Sequence, residues 1–325
     1  MAKSIQALLV ASTLFAGALA ADAQVTVYTT NFGALNTAAT DGYTYTQNEL
    51  TTGQSTTGGT GQNNWLTNDP DDNTKNAVSG AFIGGSNYVG TLNGFAGYGA
   101  YVGGAQRSAT AANDVVPGRA TDFLYRGFAV PAGASNLTFN VDFNIASAQN
   151  GFNQKDSFAF VLRNTAGAQL LSINFAISSS LGASTNTDFA AGYTIGGNGV
   201  GVGAANINTN NNGVNFNGIY HLTLSVNVVA NTFSASVTGA NSGVLATNVS
   251  LAGAPISATA VTQIAATWGL TNTTTDANGA YTGAGGNILA FDNYVITVPE
   301  PSTYAACALG LGLLMVGYKA RRRAC

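Results

Sequence analysis

The sequence predicts an all-β chain built as an antiparallel two-sheet β-sandwich. Three observations carry this. In Leu137-Thr138-Phe139-Asn140-Val141-Asp142-Phe143-Asn144-Ile145 every odd position is apolar and every even one polar, the period of a strand with one buried and one wet face. The same alternation returns at Leu222, Leu224, Val226 and Val228, and again after Asn231 at Phe233, Ala235 and Val237, which makes a hairpin. Between the two chain ends no segment keeps a 3.6-residue apolar spacing, and short strand-like runs alternate with Gly, Asn and Asp clusters.

Taken in order, the chain opens on an export signal. Lys3 supplies a positive start, residues 5–19 are apolar, and two cleavage-type triplets follow, Ala18-Leu19-Ala20 and Ala21-Asp22-Ala23. Residues 25–32 read as a first strand. Residues 36–72 are polar and turn-rich, with Gly58-Gly59-Thr60-Gly61 and Asp69-Pro70-Asp71-Asp72, and are expected to be loops carrying one or two short strands. Short aromatic and Gly-rich segments follow over 81–102. After the 137–145 strand, Phe158, Phe160 and Leu162 continue the pattern, then Leu171, Ile173 and Phe175 beyond a turn at 164–167. Two more strands are expected at 263–270 and 287–297. A parallel β-helix is the competing fold, and it lacks the fixed repeat it requires.

Composition narrows the function. Charged residues are 8% of the chain, against about 25% in an average soluble protein. Solubility therefore rests on Asn, Thr, Ser and Gly, whose neutral hydrogen bonds are little affected by salt. Hydrophobic residues at 46%, with sixteen Phe, exclude a disordered chain. Over residues 24–298, six of the eleven Lys and Arg remain once Lys3, Lys319 and Arg321 to Arg323 are set aside. Twelve of the fourteen acids remain without Asp22 and Glu300, so this region sits near −6. No basic stripe is left for nucleic acid or an anionic membrane. Both cysteines, Cys307 and Cys325, lie in the tail, so the middle must be held by its core alone.

The tail has three parts in order: Pro299-Glu300-Pro301, an apolar run over 304–318 with glycines at 310, 312 and 317, and the basic Lys319-Ala320-Arg321-Arg322-Arg323. A helix over 302–318 would be roughly 25 Å long, a little short of a hydrocarbon core of about 30 Å, with Tyr304, Tyr318 and the basic side chains reaching the interface. The positive end should stay cytoplasmic. This tail resembles the PEP-CTERM sorting signal of Gram-negative bacteria, on Pro299, Glu300, Pro301, Arg321, Arg322 and Arg323. The resemblance implies a transmembrane helix at 304–318 that is read and removed by an exosortase. The passenger would then go to the cell surface or the exopolysaccharide matrix. The expected division is a signal peptide at 1–23, a β-sandwich at 24–298 and a sorting signal at 299–325. The hairpin from Tyr220 to Val237 resembles the back-sheet hairpin of concanavalin-A-like jelly rolls. Phe291-Asp292-Asn293-Tyr294-Val295-Ile296 resembles the closing strand of jelly-roll carbohydrate-binding modules.

Catalytic material is scarce. Residues 24–298 hold one Glu, Glu49, and one His, His221, with eleven Asp. A glycosidase needs two placed carboxylates, and no E-x-D or E-x-x-x-E cluster lies along a strand. No G-x-S-x-G elbow occurs, and no His/Cys set for zinc. His221 falls on the wet face with Thr223, Ser225 and Asn227. Asp69, Asp71 and Asn73 offer clustered oxygens of the kind calcium takes, in a loop that reads equally as a solvated Asx turn. Thr74 and Gly80 exclude an EF-hand, and Asp292 is the candidate fourth ligand. The run Gly196-Gly197-Asn198-Gly199-Val200-Gly201 resembles a single calcium-binding glycine repeat without its Asp, and reads as a loop or strand edge. For sugar stacking, Trp65 with Tyr43 and Tyr45 is the candidate set, core packing being the other reading of Trp65. Trp268 alternates with Ile264 and Ala266 and belongs to the core. The expected function is a non-catalytic structural or adhesive component that binds exopolysaccharide. A secreted glycan-active enzyme is the alternative.

Overall fold

The structure, a computed structural model, describes residues 24–45, 62–67, 86–91, 95–103, 121–147, 156–177, 188–196, 198–208, 219–239, 243–251, 256–257, 260–270 and 287–299. Fifteen strands run through them: β1 Gln24–Thr30, β2 Trp65–Thr67, β3 Ser86–Thr91, β4 Tyr98–Gly103, β5 Thr121–Gly127, β6 Asn136–Ser147, β7 Asp156–Arg163 and β8 Gln169–Ile177. Then come β9 Asp188–Ile195, β10 Asn198–Asn208, β11 Tyr220–Asn227, β12 Thr232–Thr238, β13 Gly243–Ser250, β14 Gln263–Leu270 and β15 Asn287–Pro299. They form an eight-stranded sheet in the order β13-β12-β11-β6-β15-β4-β3, with β1 also on β15, and a seven-stranded sheet in the order β10-β9-β8-β7-β14-β5-β2. Every pairing is antiparallel, so the expected sandwich is the observed fold and the β-helix is excluded.

The alternation does what its period dictates. In β6 Leu137, Phe139, Val141, Phe143 and Ile145 are all buried, and in β11 Leu222, Leu224 and Val226 face the same interior. β12 returns with Phe233, Ala235 and Val237 inside, after Asn231 takes a left-handed φ of 54° at the turn. The facing sheet supplies Phe158, Phe160, Leu162, Leu171, Ile173, Phe175 and Trp268. Phe143 meets Phe175 at 4.9 Å and Phe160 at 5.8 Å, joining the two layers through aromatic edges.

Two departures have physical causes. The first strand stops at Thr30, because Phe32 and Gly33 take φ of 49° and 67° and turn the chain away. In β15 both Phe291 and Tyr294 are fully buried, which strict alternation forbids. A bulge between Asp292 and Val295 adds one residue and resets the phase, with Asn293 at φ 47° absorbing the bend. The strands β5, β9, β10 and β13 were not expected from the sequence. Residues 198–201 of the glycine run open β10, the edge strand of its sheet, in line with the strand-edge reading. Among the described residues no helix is long and apolar enough to cross a membrane. The expected signal helix at 1–23 and membrane helix at 304–318 lie outside them.

Candidate functional site

The outer face of the eight-stranded sheet carries a polar row built by register. β6 and β11 pair Thr138 with Ser225, Asn140 with Thr223 and Asp142 with His221. Residues two apart share a face, so these three pairs lie in line along roughly 14 Å of sheet. Each pair is bonded: Thr138 Oγ1 and Ser225 Oγ at 3.5 Å, Thr223 Oγ1 donating to Asn140 Oδ1 at 2.9 Å, and His221 Nδ1 on Asp142 Oδ1 at 2.6 Å. Asn293, brought to this face by the bulge, donates to the other oxygen of Asp142 at 2.7 Å.

Asp292 stands opposite Asp142 in the β6–β15 ladder, so three strands place His221, Asp142 and Asp292 side by side. Asp292 is 6% exposed, and its Oδ1 has no hydrogen-bond partner. Burial pushes its carboxyl up to about 7, against a backbone bond from Asn293 that lowers it, and Asp142 adds a further push upward. Asn144, 4% exposed on the same face, leaves its Nδ2 without a partner. The bond from Nδ1 to Asp142 fixes the orientation of the half-exposed His221 ring. The group therefore combines an oriented imidazole with a carboxyl that burial pushes up to about 7.

The seven-stranded sheet bears a comparable neutral chain. Gln169 Nε2 donates to Ser172 Oγ at 3.1 Å, Ser172 Oγ to Asn174 Oδ1 at 2.9 Å, and Asn174 Nδ2 to Thr194 Oγ1 at 2.7 Å. Beside it Ala159, Val161 and Ala265 pack with Tyr125, whose ring lies under Arg163 at 5.2 Å.

Tyr43 and Tyr45, on the loop that follows β1, do come together with Trp65 of β2. A Cβ at Gly97 would run into the carbonyl of Gly33, and Tyr98 N bonds that carbonyl at 2.9 Å, so the loop is clamped beside β4. Asp41 Oδ2 accepts from Tyr45 OH at 2.8 Å, Tyr28 OH at 3.2 Å and Asn63 Nδ2 at 2.6 Å. Trp65 Nε1 donates to Tyr45 OH at 3.3 Å. The geometry corrects the stacking expectation for two of the three. Trp65 is 0% and Tyr45 1% exposed, because β2 pairs with β5 and turns Trp65 onto Phe32, Phe291 and Tyr294. A pyranose cannot lie on either ring. Tyr43 is the exposed member, edge-on to Tyr45 at 4.9 Å. Burial raises the Tyr28, Tyr45 and Tyr294 hydroxyls above their ordinary value, so all three stay protonated donors. Arg126 lies over the Tyr28 ring at 4.3 Å with Nε and Nη1 buried and unpaired. Sequence reasoning missed Asp41, Asn63 and Arg126, which lie up to 85 residues apart and carry no local pattern.

Of the calcium candidates, Asp69, Asp71 and Asn73 lie outside the described residues, as do Glu300, Pro301 and Arg321 to Arg323 of the tail. Asp292 lies among the described residues, with its Oδ1 buried and unpaired. Among the described residues no three His, Cys, Asp or Glu side chains converge as a metal site.

No protein-family model matches this chain, and no curated protein matches it. Solved structures with a similar course include the CBM2 module of the evolved Dit of Lactobacillus casei BL23 phage J-1, at 13% identity and TM-score 0.43, covering 86% of this chain and 97% of that one. Lectin I from Ulex europaeus, in complex with the methyl glycoside of α-L-fucose, is 8% identical with TM-score 0.40, over 85% and 98%. The PL-14 alginate lyase from Aplysia kurodai is 10% identical with TM-score 0.36, over 65% and 87%.

Proposed function

We propose that this chain is an exported, non-catalytic surface or matrix protein whose outer sheet faces bind exopolysaccharide. The observation that carries the reading is the row Thr138–Ser225, Asn140–Thr223 and Asp142–His221 with Asn293. Amides and hydroxyls both donate and accept, as sugar hydroxyls do, and they stand at strand spacing along one face. Gln169, Asn174 and Thr194 offer the same chemistry on the other sheet, tied together through buried Ser172. Exposed Tyr43 adds a ring on which a sugar can stack. The tail is read as a PEP-CTERM signal with an exosortase as its partner, which places the passenger outside a Gram-negative inner membrane.

The test is affinity electrophoresis of the purified protein through gels cast with neutral and acidic bacterial exopolysaccharides, with soluble products assayed in parallel. Retardation that persists in high salt and yields no products is expected. Absence of retardation overturns the reading, and so does retardation abolished by salt.

One observation favours a glycan-active enzyme as the second reading: Asp142 and Asp292 face one another in register, and Asp292 keeps its proton to about pH 7. Under that reading reducing ends or unsaturated products accumulate, and Asp292→Asn abolishes them.

A further inference from the structure

The outer face of the eight-stranded sheet can be followed across its strands as well as along them. Thr26 pairs with Thr297, Thr297 with Thr138, Thr138 with Ser225 and Ser225 with Ser234. Asn248 completes the row, its N–H donating to Ser234 Oγ at 2.9 Å. The six strands β1, β15, β6, β11, β12 and β13 thus each set one hydroxyl or amide side chain in a line of roughly 24 Å, at strand spacing. All but Thr297 are at least partly open to solvent. The next row toward the strand ends runs by the same register from Gln24 to Ser250, through Pro299, Asn136, Asn227 and Thr232, and is neutral too.

Among the described residues no row nearer mid-length is complete in that way. The adjoining row, which includes Asn140 and Thr223, is interrupted by Val295 and Val244. The row beyond it carries Asp292, Asp142 and His221, roughly 14 Å from the first. Asp41, on the loop beside β1, turns its carboxylate to Tyr28 and Tyr45. A ligand laid along a strand therefore reaches charge within two steps, whereas one laid across the strands meets six neutral groups in succession.

We propose that the row from Thr26 to Asn248 binds a single neutral, extended polysaccharide chain of the β-1,4-linked type, running across the strands with one sugar ring to each strand. The inference rests on the reading that the outer face binds exopolysaccharide, and it names the chain and its direction. A ring of such a chain advances by close to the distance between strands, so each ring meets one hydroxyl or amide that both donates and accepts. Same-face residues along a strand are about 7 Å apart and fall out of step with the rings. The groups are short, and threonine is stiff at χ1, so little side-chain freedom is lost on binding. Thr138 with Ser225, and Ser234 with Asn248, already hold one another in place. The row contains no aromatic ring to grip one sugar strongly, so affinity accumulates ring by ring. Neighbouring strands twist by about 20°. A chain that rotates at its glycosidic bonds follows that twist, and a rigid crystalline surface cannot.

The test titrates the purified full chain, by calorimetry, with β-1,4-linked gluco- and manno-oligosaccharides of two to six rings, and with malto-oligosaccharides as a coiled comparison. Affinity is expected to rise about two- to tenfold with each ring up to six, the span of one net hydrogen bond, and the coiled series should not follow. Ser225→Lys, in mid-row, should cut six-ring binding about tenfold or more at an unchanged melting temperature. Thr26→Lys, at the exposed end of the row, should make six rings bind as five do. Affinity that levels off by three rings overturns the row and leaves the polysaccharide reading standing. Equal affinity for the coiled series does the same, and so does binding that neither variant alters. Failure of every oligosaccharide with a protein still retarded in exopolysaccharide gels overturns the row alone. Failure of both overturns the polysaccharide reading with it.

Discussion

Asp142 and Asp292 stand opposite one another on neighbouring strands, yet only one of them has its charge provided for. Asp142 bonds His221 and Asn293 through its two oxygens, while Asp292 is buried with Oδ1 unpaired. Its carboxyl is pushed up from 3.8 to about 7, chiefly by burial. The folded state therefore holds a proton that the unfolded chain gives up. Below about pH 4 both states are protonated and there is no penalty. Stability then falls as pH rises toward 7, and levels off some 4 kcal/mol lower at most. Asp292→Asn should flatten this slope and be more stable than the parent at about pH 8. Urea melts across the range check it, and an unchanged slope in the variant would sink the assignment.

Phe143→Ala should cost about 3–5 kcal/mol, from lost transfer and a residual cavity among Phe160, Phe175 and Tyr220. Asn140→Ala should cost about 1 kcal/mol. Asn140 lies on the wet face but accepts from Thr223 Oγ1 at 2.9 Å, and the loss of that bond sets the cost. Equal losses in urea melts would contradict the face assignment.

Tyr43 and Trp65 should separate binding from packing. Trp65→Ala is expected to destabilise by about 3–5 kcal/mol because the ring is wholly enclosed. Tyr43→Ala should leave the melting temperature nearly unchanged and weaken polysaccharide retardation in gels. A Tyr43 variant that binds as the parent does would remove that ring from the surface proposed for glycans.

Replacing Pro299 and Pro301 together with alanine should leave the chain inserted but unprocessed in its host, at nearly full mass. Normal trimming of that variant, seen by intact-mass measurement, would end the sorting reading. Deleting Arg321 to Arg323 should disturb orientation instead.

The sheets were legible wherever one face is apolar and the other wet, as in β6, β11 and β12. β9 and β10 were not, because glycine and alanine fill Asp188–Ile195 and Asn198–Asn208 and leave no contrast between faces. The phase change in β15 was hidden too, since a bulge costs one residue and looks like a broken alternation. The polar row followed from register once β6 and β11 were known to pair. The Asp41 cluster could not follow from anything local, because its bonds join residues 28, 41, 45 and 63 through a loop that only the finished core positions. Trp65 shows the same difficulty in reverse: a polar neighbourhood in sequence becomes an apolar one in space.

The last strand made is also an inner strand. β15 lies between β6 and β4 and, among the described residues, is the only partner of β1. Until residues 287–299 are available to pair, β1 has no ladder to join and β6 lacks a neighbour on one side. The sandwich must then close late, through contacts between residues far apart in the sequence, which makes folding slow. Any truncation upstream of β15 leaves two open sheet edges in place of a centre. Such fragments should aggregate rather than persist as smaller sandwiches.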